Sequence, residues 1–452
     1  MSKKHFRLTI AVTMLSVLML ITTQCAPTPA QPTNPPAAAG PTNTPAPAAG
    51  AKPYAGTTLV LWQTIAASDF WGDQADAMLK DFTDKTGITV NWVNFGPEWT
   101  NKAATAFSSK SSDFDLIFTW ATPTAEWARA GWLEDLTSRW TPEMTADKVD
   151  QPMQAVMYMG KIYGVPQFLS CQTGFYNTKL FKEAGLDPNQ PPTTFEEFID
   201  YAKKLTKKPD QYGFSVSWGA YGNLFQTFAQ WVQLAGGDVL DDQGKPIFNT
   251  PAGKKALQAM RDGIQEGWID PGSLSYTDTF IALQPFEAGK IGMEFHWPSV
   301  WARVQDPKES QVINDVKLFL VPGFKDGRKS ACLDGSMGWA MNKNSKNKDA
   351  AWEFMKWAYS LPVQKMMYQK TAWLPVDQSA FNDPALKDTP LISHYREQVK
   401  YPGKRYGSAY YDEMSKVMAP PLTDAINAKI SVDDGLAQAF KAAQDVAAKF
   451  VQ

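Results

Sequence analysis

Seventeen tryptophans stand in this chain of 452 residues, and their positions bear on what it can bind. An indole is costly to leave in water, so most are core; the same flat face also stacks on the C–H face of a sugar ring. Trp62 ends a strand-like run, Thr57–Trp62 (TTLVLW), and Trp120 follows another, Phe114–Thr119 (FDLIFT). Trp218 lies in a Gly/Tyr/Asn-rich loop ahead of a helix. A saccharide also needs carboxylates or amides at its hydroxyl rim. Asp69, Asn94 and Glu98 stand in or beside the loops after the first two strands. Each has a competing structural reading: Trp62 and Trp120 as plugs at the edge of a core, the three polar residues as helix caps or solvated loop groups. Glu294 and His296 alternate along Lys290–His296 and so share one face of that strand.

Other chemistries lack their residues. Beyond the N-terminal segment the only histidines are His296 and His394, and no Cys/His cluster occurs, so neither a metal site nor a cofactor is expected. There is no Gly-x-x-x-x-Gly-Lys-Ser/Thr loop to cradle a nucleotide. Net charge is −2 and no basic run follows the first residues, which argues against nucleic acid as a partner. Cys171 and Cys332 either pair or remain two separate buried thiols.

The elements that must position these residues alternate from the start. Thr57–Trp62 reads as a strand. Asp69–Thr86 is one amphipathic helix with Trp71, Ala75, Met78, Leu79 and Phe82 on a face and Gly87 at its end. Ile88–Val93, Pro97–Ser108 and Phe114–Thr119 continue as strand, helix and strand. This order predicts an α/β fold whose parallel, helix-covered sheet binds ligand beyond the carboxyl ends of its strands. Further on, Thr194–Leu205 opens with a capping box, Thr194 to Glu197. Asn223–Leu234, Gly253–Glu266, Asp349–Tyr359 and Val432–Phe450 read as helices; Lys290–His296, Val316–Val321 and Ser336–Met341 read as strands. Trp352 and Trp357 take core spacing in their helix, and Trp127, Trp132, Trp140 and Trp231 are also assigned to core.

The first 55 residues address the location. Lys3, Lys4 and Arg7 precede an apolar run, Leu8–Ile21, too short to span a bilayer comfortably, and Cys25 follows. Residues 1–24 read as a signal peptide. Residues 25–55, rich in Pro, Ala and Thr, cannot bury enough surface to fold and form a tether. A cysteine at this junction resembles the acylated N-terminal residue of a bacterial lipoprotein, although Thr22 and Gln24 stand where that pattern has an aliphatic and a small residue. Ordinary secretion with cleavage nearby is the alternative.

A family resemblance runs through the rest. Gly160-Lys-Ile-Tyr-Gly-Val-Pro166 and then Phe175-Tyr-Asn-Thr-Lys-Leu-Phe-Lys-Glu-Ala-Gly-Leu186 resemble the signature of family 1 extracellular solute-binding proteins, relatives of maltose-binding protein, with Gly174 a departure just before it. Pro192–Phe198, Phe286–Met293, Trp297-Pro-Ser-Val-Trp301, Gly335–Asn342, Asp349–Met355 and Thr371-Ala-Trp-Leu-Pro-Val376 follow in the family's order. The resemblance implies a two-lobe periplasmic-binding-protein type II ("Venus flytrap") fold with hinge strands. Crossings are expected near Val165–Ser170, Lys317–Val321 and Ser345–Lys348. Lobe 1 is then 56–167 plus 322–346, and lobe 2 is 168–321 plus 347–452. It also implies that Trp297 and Trp301, in the aromatic loop, stack on ligand, that Trp339 and Trp373 lie near the crossings, and that Arg405 and Tyr406 belong to a late ligand-contacting segment. The implied protein is no enzyme. It captures a saccharide outside the cytoplasmic membrane, anchored there through Cys25, as a monomer that delivers to the permease of an ABC importer. The same fold holding a polyol phosphate or polyamine, and a secreted carbohydrate-active enzyme, are the rival readings; the latter needs a carboxylate pair about 5–10 Å apart.

Overall fold

The computed structural model describes residues 52–95, 99–404 and 406–450, all within one compact unit, Lys52–Gln452. The strands are β1 (Thr58–Gln63), β2 (Thr89–Asn94), β3 (Leu116–Thr119), β4 (Met157–Tyr158), β5 (Lys161–Ile162), β6 (Gly164–Phe168), β7 (Thr173–Asn177), β8 (Tyr212–Phe214), β9 (Ile291–His296), β10 (Val316–Phe319) and β11 (Met337–Met341).

Alternation of strand and helix gives what it must at the start: β1 pairs in parallel with β2 and with β3. The first sheet has the order β2-β1-β3-β11-β6, in which β11 is antiparallel to both neighbours. Since β6 opposes β11 and β11 opposes β3, the carboxyl ends of β1, β2, β3 and β6 share one edge. The second sheet has the order β10-β7-β9-β8. There β8 runs parallel to β9 and β7 opposes it, with Thr173 beside His296, so the ends of β8 and β9 meet the start of β7 at one edge.

Each sheet carries its own core. Leu59, Leu61, Phe118, Phe168 and Trp339 join the helix residues Phe70, Phe82, Phe354 and Met355 on the first. Phe195, Phe198, Phe214, Trp231, Phe248 and Trp268 dominate the second, closed by helices Tyr411–Ile426 and Val432–Phe450. Trp127 and Trp231 are buried as expected.

Three segments tie the halves together: two adjacent ones, and a third after Val376 that carries the chain from the first core to the second-core helices Tyr411–Ile426 and Val432–Phe450, in place of the crossing expected at Ser345–Lys348. Residues 169–172 lead from β6 to β7, and residues 332–336 lead back to β11. They run antiparallel: the Gln172 amide donates to Leu333 O at 3.0 Å and the Gly335 amide to Ser170 O at 2.6 Å. Cys171 and Cys332 form a disulfide across them, with Cα atoms 5.3 Å apart, inside the range a bridge requires.

Two expectations from the sequence are corrected. The single helix Asp69–Thr86 is broken: Ala67–Trp71 ends at Gly72, whose backbone (φ 55°, ψ −133°) is not helical, and the chain resumes helix at Ala75–Thr86 before Gly87 ends it left-handed. Residues 347–376 pack on the first sheet rather than the second. Helices Lys348–Ala358 and Leu361–Thr371 bury Trp352, Phe354, Met355, Val363 and Met367 there, with the Phe354 ring 5.4 Å from Phe82. Conversely Val321, Phe324 and Ala331 belong to the second core, so the return crossing falls at 332–336, after the expected Lys317–Val321.

Candidate functional site

The carboxyl edge of the first sheet is built from short loops. After β1 the chain turns at Thr64–Ala66 into helix Ala67–Trp71, where the Asp69 carboxylate accepts the Ala66 amide at 2.7 Å. The Asp69 carbonyl accepts the Trp373 indole N–H at 2.8 Å. The Trp373 ring, half-buried, lies 4.1 Å from the Phe168 ring at the end of β6. Trp120 follows β3 and caps helix Ala121–Arg129, half-buried, its ring 5.3 Å from Trp99.

The facing edge of the second sheet carries Tyr221, 40% exposed at the start of helix Tyr221–Leu234, and Phe280, 45% exposed in helix Thr279–Glu287. The Tyr411 hydroxyl donates to Gly222 O at 3.2 Å, which brings the late aromatic segment to this edge. Trp297 lies against the return crossing, its ring packed over the Gly335 backbone so closely that a Cβ there would sit 2.4 Å from it.

Beneath these rings is a cavity of about 30 Å³ whose walls include Gln172, Ser217, Asn223, Thr279, Glu294 and His296. Its electrostatics follow from burial. Glu294 is 2% exposed; desolvation pushes its carboxyl well above the ordinary range and so favours the protonated form. His296 is equally buried, and desolvation brings it down to about 4. Its Nδ1 accepts the Trp297 amide at 2.8 Å while Nε2–H donates to Thr279 O at 3.3 Å, which defines a neutral tautomer. Burial thus disfavours charge on both groups of the floor.

A second cavity, about 670 Å³, lies elsewhere between the halves, walled by Arg129, Met157, Tyr158, Asp241, Tyr410 and Phe450 among others. Arg129 ends the helix that Trp120 begins, roughly 13 Å further along at 1.5 Å per residue. The hairpin β4–β5 precedes the amino end of β6. Gly407, another wall residue, packs against Ala121 beside Trp120, so the cavity follows helix Ala121–Arg129 away from the carboxyl edge.

A family model described as "bacterial extracellular solute-binding protein" matches residues 71–365. The chain belongs to that family. Among curated relatives of this solute-binding protein, a "probable amino-acid ABC transporter periplasmic-binding protein", y4oP of Sinorhizobium fredii, is 27% identical over 79% of this chain and 85% of its own. The diacetylchitobiose-binding protein DasA of Streptomyces coelicolor is 26% identical over 69% and 71%. Among solved structures, maltose-bound T. maritima MalE3 superposes with a TM-score of 0.75 at 24% identity, over 86% of this chain and all of that one. The two-lobe fold and an extracytoplasmic place of work are those of the family.

Measured against this geometry, the residues singled out in the sequence divide. Trp120, Trp373, Trp297 and Asn94 stand at the shared edges. Trp62 does not offer a face: it stacks on Phe114 at 4.1 Å and meets Phe95 edge-on at 4.6 Å. Trp339 is 1% exposed, its N–H donated to Gln167 Oε1 at 2.8 Å. Trp218 is buried in the second core, and Trp301 is wedged between two apolar clusters. Tyr406 is held by Asp238, which accepts its hydroxyl proton at 2.8 Å, and lines the far cavity. Asp69 serves as a cap. Glu98, Arg405 and Cys25 lie outside the described residues. Sequence reasoning passed over Tyr221 and Phe280, whose signal was an aromatic in the opening turn of a helix that follows a strand or a loop; Tyr411 belongs to the Tyr-rich late segment around Tyr406.

Proposed function

We propose that this solute-binding protein captures a neutral carbohydrate or polyol between its lobes and hands it to the permease of an ABC importer. The observation that carries the reading is the pairing of aromatic faces with a polar floor on which burial disfavours charge. Trp120 and Trp373 stand on one edge, Tyr221, Phe280 and Trp297 on the other, near Glu294, whose burial favours the protonated form, and neutral His296. Flat rings suit the C–H faces of a sugar, and a floor without charge suits hydroxyls. The diacetylchitobiose and maltose relatives support this chemistry. The solute closes the lobes only to the extent that it prefers the closed state. No covalent step belongs to this function. We further propose that residues 1–24 are removed on export, that an acylated Cys25 holds the protein to the membrane through the 25–55 tether, and that it acts as a monomer with two lobes meeting near 169–172 and 332–336.

A second reading, an amino-acid solute, is favoured by the y4oP relative. A thermal-shift screen separates them, because a ligand bound only by the folded state raises the melting temperature with its occupancy. The panel holds mono- and oligosaccharides, polyols, polyol phosphates, polyamines and amino acids. A shift with a neutral sugar or polyol, and no product by chromatography, supports the proposal. A shift confined to amino acids or other charged solutes overturns it, and a product would make the protein an enzyme.

A further inference from the structure

We infer that the small chamber below the cleft is a subsite for one uncharged hydroxyl-bearing arm of the solute, with Glu294 as its specificity-determining residue. The inference rests on the carbohydrate reading above. Three observations carry it.

The first is size. About 30 Å³ exceeds the roughly 10–15 Å³ that one water requires, and it is far too small for a ring. It fits a hydroxyl or hydroxymethyl group entering from a ring stacked above. The second is position. The chamber lies where β8 and β9 end and where helices Tyr221–Leu234 and Thr279–Glu287 begin. The Phe280 ring lies 5.7 Å from the ring of His296, one of the chamber's wall residues.

The third is the hydrogen-bond inventory of its walls. Ser217 Oγ–H donates to Tyr276 O at 2.9 Å and accepts from Asn223 Nδ2 at 2.8 Å. Both His296 nitrogens are engaged. Ser215 Oγ lies 3.2 Å from Ala282 O and 3.3 Å from Glu294 Oε2. Ser217, Asn223, Thr227 and His296 are therefore already paired within the protein. The Glu294 carboxyl, whose burial favours the protonated form, joins the Gln172 and Gln226 amides as a wall group able to meet a hydroxyl in either sense, and it alone of these lies on β9 at the buried end of the chamber. The nearest charges are compensated or turned away. Glu287, which faces Glu294, is held bidentately by Arg303. Asp278 caps its own helix by accepting the Phe280 amide at 2.7 Å. A phosphate placed here would lose its hydration without gaining a counter-charge.

The test is isothermal titration of the purified protein and three variants with maltose, cellobiose and D-mannitol. Glu294→Gln keeps a neutral group of the same size and is expected to bind the preferred neutral ligand within about threefold of wild type. Glu294→Leu fills the chamber with hydrocarbon and should lose at least tenfold, while its melting temperature stays level or rises. Asn223→Leu fills the same space from another helix and covers the case in which Glu294→Leu fails to fold; the same tenfold loss is expected. Wild-type affinity in both leucine variants overturns the subsite and leaves the carbohydrate reading standing. Equal loss in folded Glu294→Gln and Glu294→Leu overturns the neutral-carboxyl role. Failure of wild type to bind any neutral ligand overturns the carbohydrate reading, and the subsite falls with it.

Discussion

Replacing both hinge cysteines, Cys171→Ala with Cys332→Ala, removes the covalent rung between the two crossing segments. The cysteines are separated by 161 residues and both are fully buried. In the chain-entropy account, closing a loop of that length restricts the unfolded ensemble by an entropy worth about 5 kcal/mol at 25 °C. Residual structure in the unfolded chain and native strain both reduce this, so a loss of about 3–5 kcal/mol is expected. That is a large share of the roughly 5–15 kcal/mol by which domains are stable. The assay is urea unfolding of the wild type, oxidised and fully reduced, beside the double variant; oxidised wild type should stand apart and the other two should coincide. The folded double variant should bind ligand within about threefold of wild type, because the Gln172–Leu333 and Gly335–Ser170 hydrogen bonds still pair the crossings. A thiol count under denaturing, non-reducing conditions gives an independent check. A stability change below about 1 kcal/mol, or titration of both Cys171 and Cys332 as free thiols, would refute the pairing or its energetic role.

Three other outcomes are expected. His296, held neutral with a folded value near 4 against 6.5 unfolded, makes the unfolded state the stronger proton binder in that window. Stability should therefore fall as pH drops from 6.5 to about 4, by up to about 3 kcal/mol from this residue. The buried Glu294, shifted upward, acts in the opposite sense as pH rises past its ordinary range, so the quantity to measure is the pH dependence of the difference between wild type and His296→Asn. Trp339→Ala should cost about 3–5 kcal/mol as a core truncation, whereas Trp373→Ala should spare stability within about 1 kcal/mol and weaken ligand at least tenfold, as denaturation and titration will show. Arg129 lies over the Phe450 ring at 4.7 Å, joining the lobes far from the cleft. Arg129→Ala removes roughly 0.5–1 kcal/mol of attraction and should enlarge the ligand-free radius of gyration in solution scattering and lower affinity two- to fivefold.

Much of the fold was legible because its signals are local. Strand–helix alternation before residue 120 announces a parallel sheet, and the Thr194–Glu197 box and Gly87 mark helix ends that the structure keeps. Amphipathic spacing also shows that Asp349–Tyr359 buries a face. It is silent on which sheet receives that face, and the wrong lobe was assigned for that reason. The site was less legible. An indole at a strand end reads alike whether it opens to a cleft or closes a core. Trp120 and Trp62 both end strands of the same sheet, yet Phe114 and Phe95 cover Trp62. Their ring contacts come from β3's approach and the loop after β2, tertiary facts with no period in the sequence. Glu294 and His296 were placed on one face by alternation alone, and both do line the same chamber; what alternation withheld was the burial that disfavours charge on both.

The crossings explain why such a site can both open and discriminate. Segments 169–172 and 332–336 are hydrogen-bonded to each other and joined by the disulfide, so they bend as one ribbon, and shear between the lobes would break those bonds. Rotation about the ribbon moves the edge carrying Trp120 and Trp373 towards the edge carrying Tyr221 and Phe280. Trp297 packs on the ribbon itself, over Gly335, and the chamber takes wall residues from both its strands, Gln172 and Leu333. A solute group seated beside Glu294 thus lies next to two of the segments that pass between the lobes. Binding there needs no closed cleft, whereas stacking between the two aromatic edges does. The order that follows is seating in the second lobe first and closure second, with the hydroxyl test applied before the aromatic contacts form. Under that order, Glu294→Leu should slow association of the preferred ligand, and Trp120→Ala should chiefly speed its release. Stopped-flow fluorescence on the two variants separates the effects, and the reverse pattern would mean that the first lobe captures first.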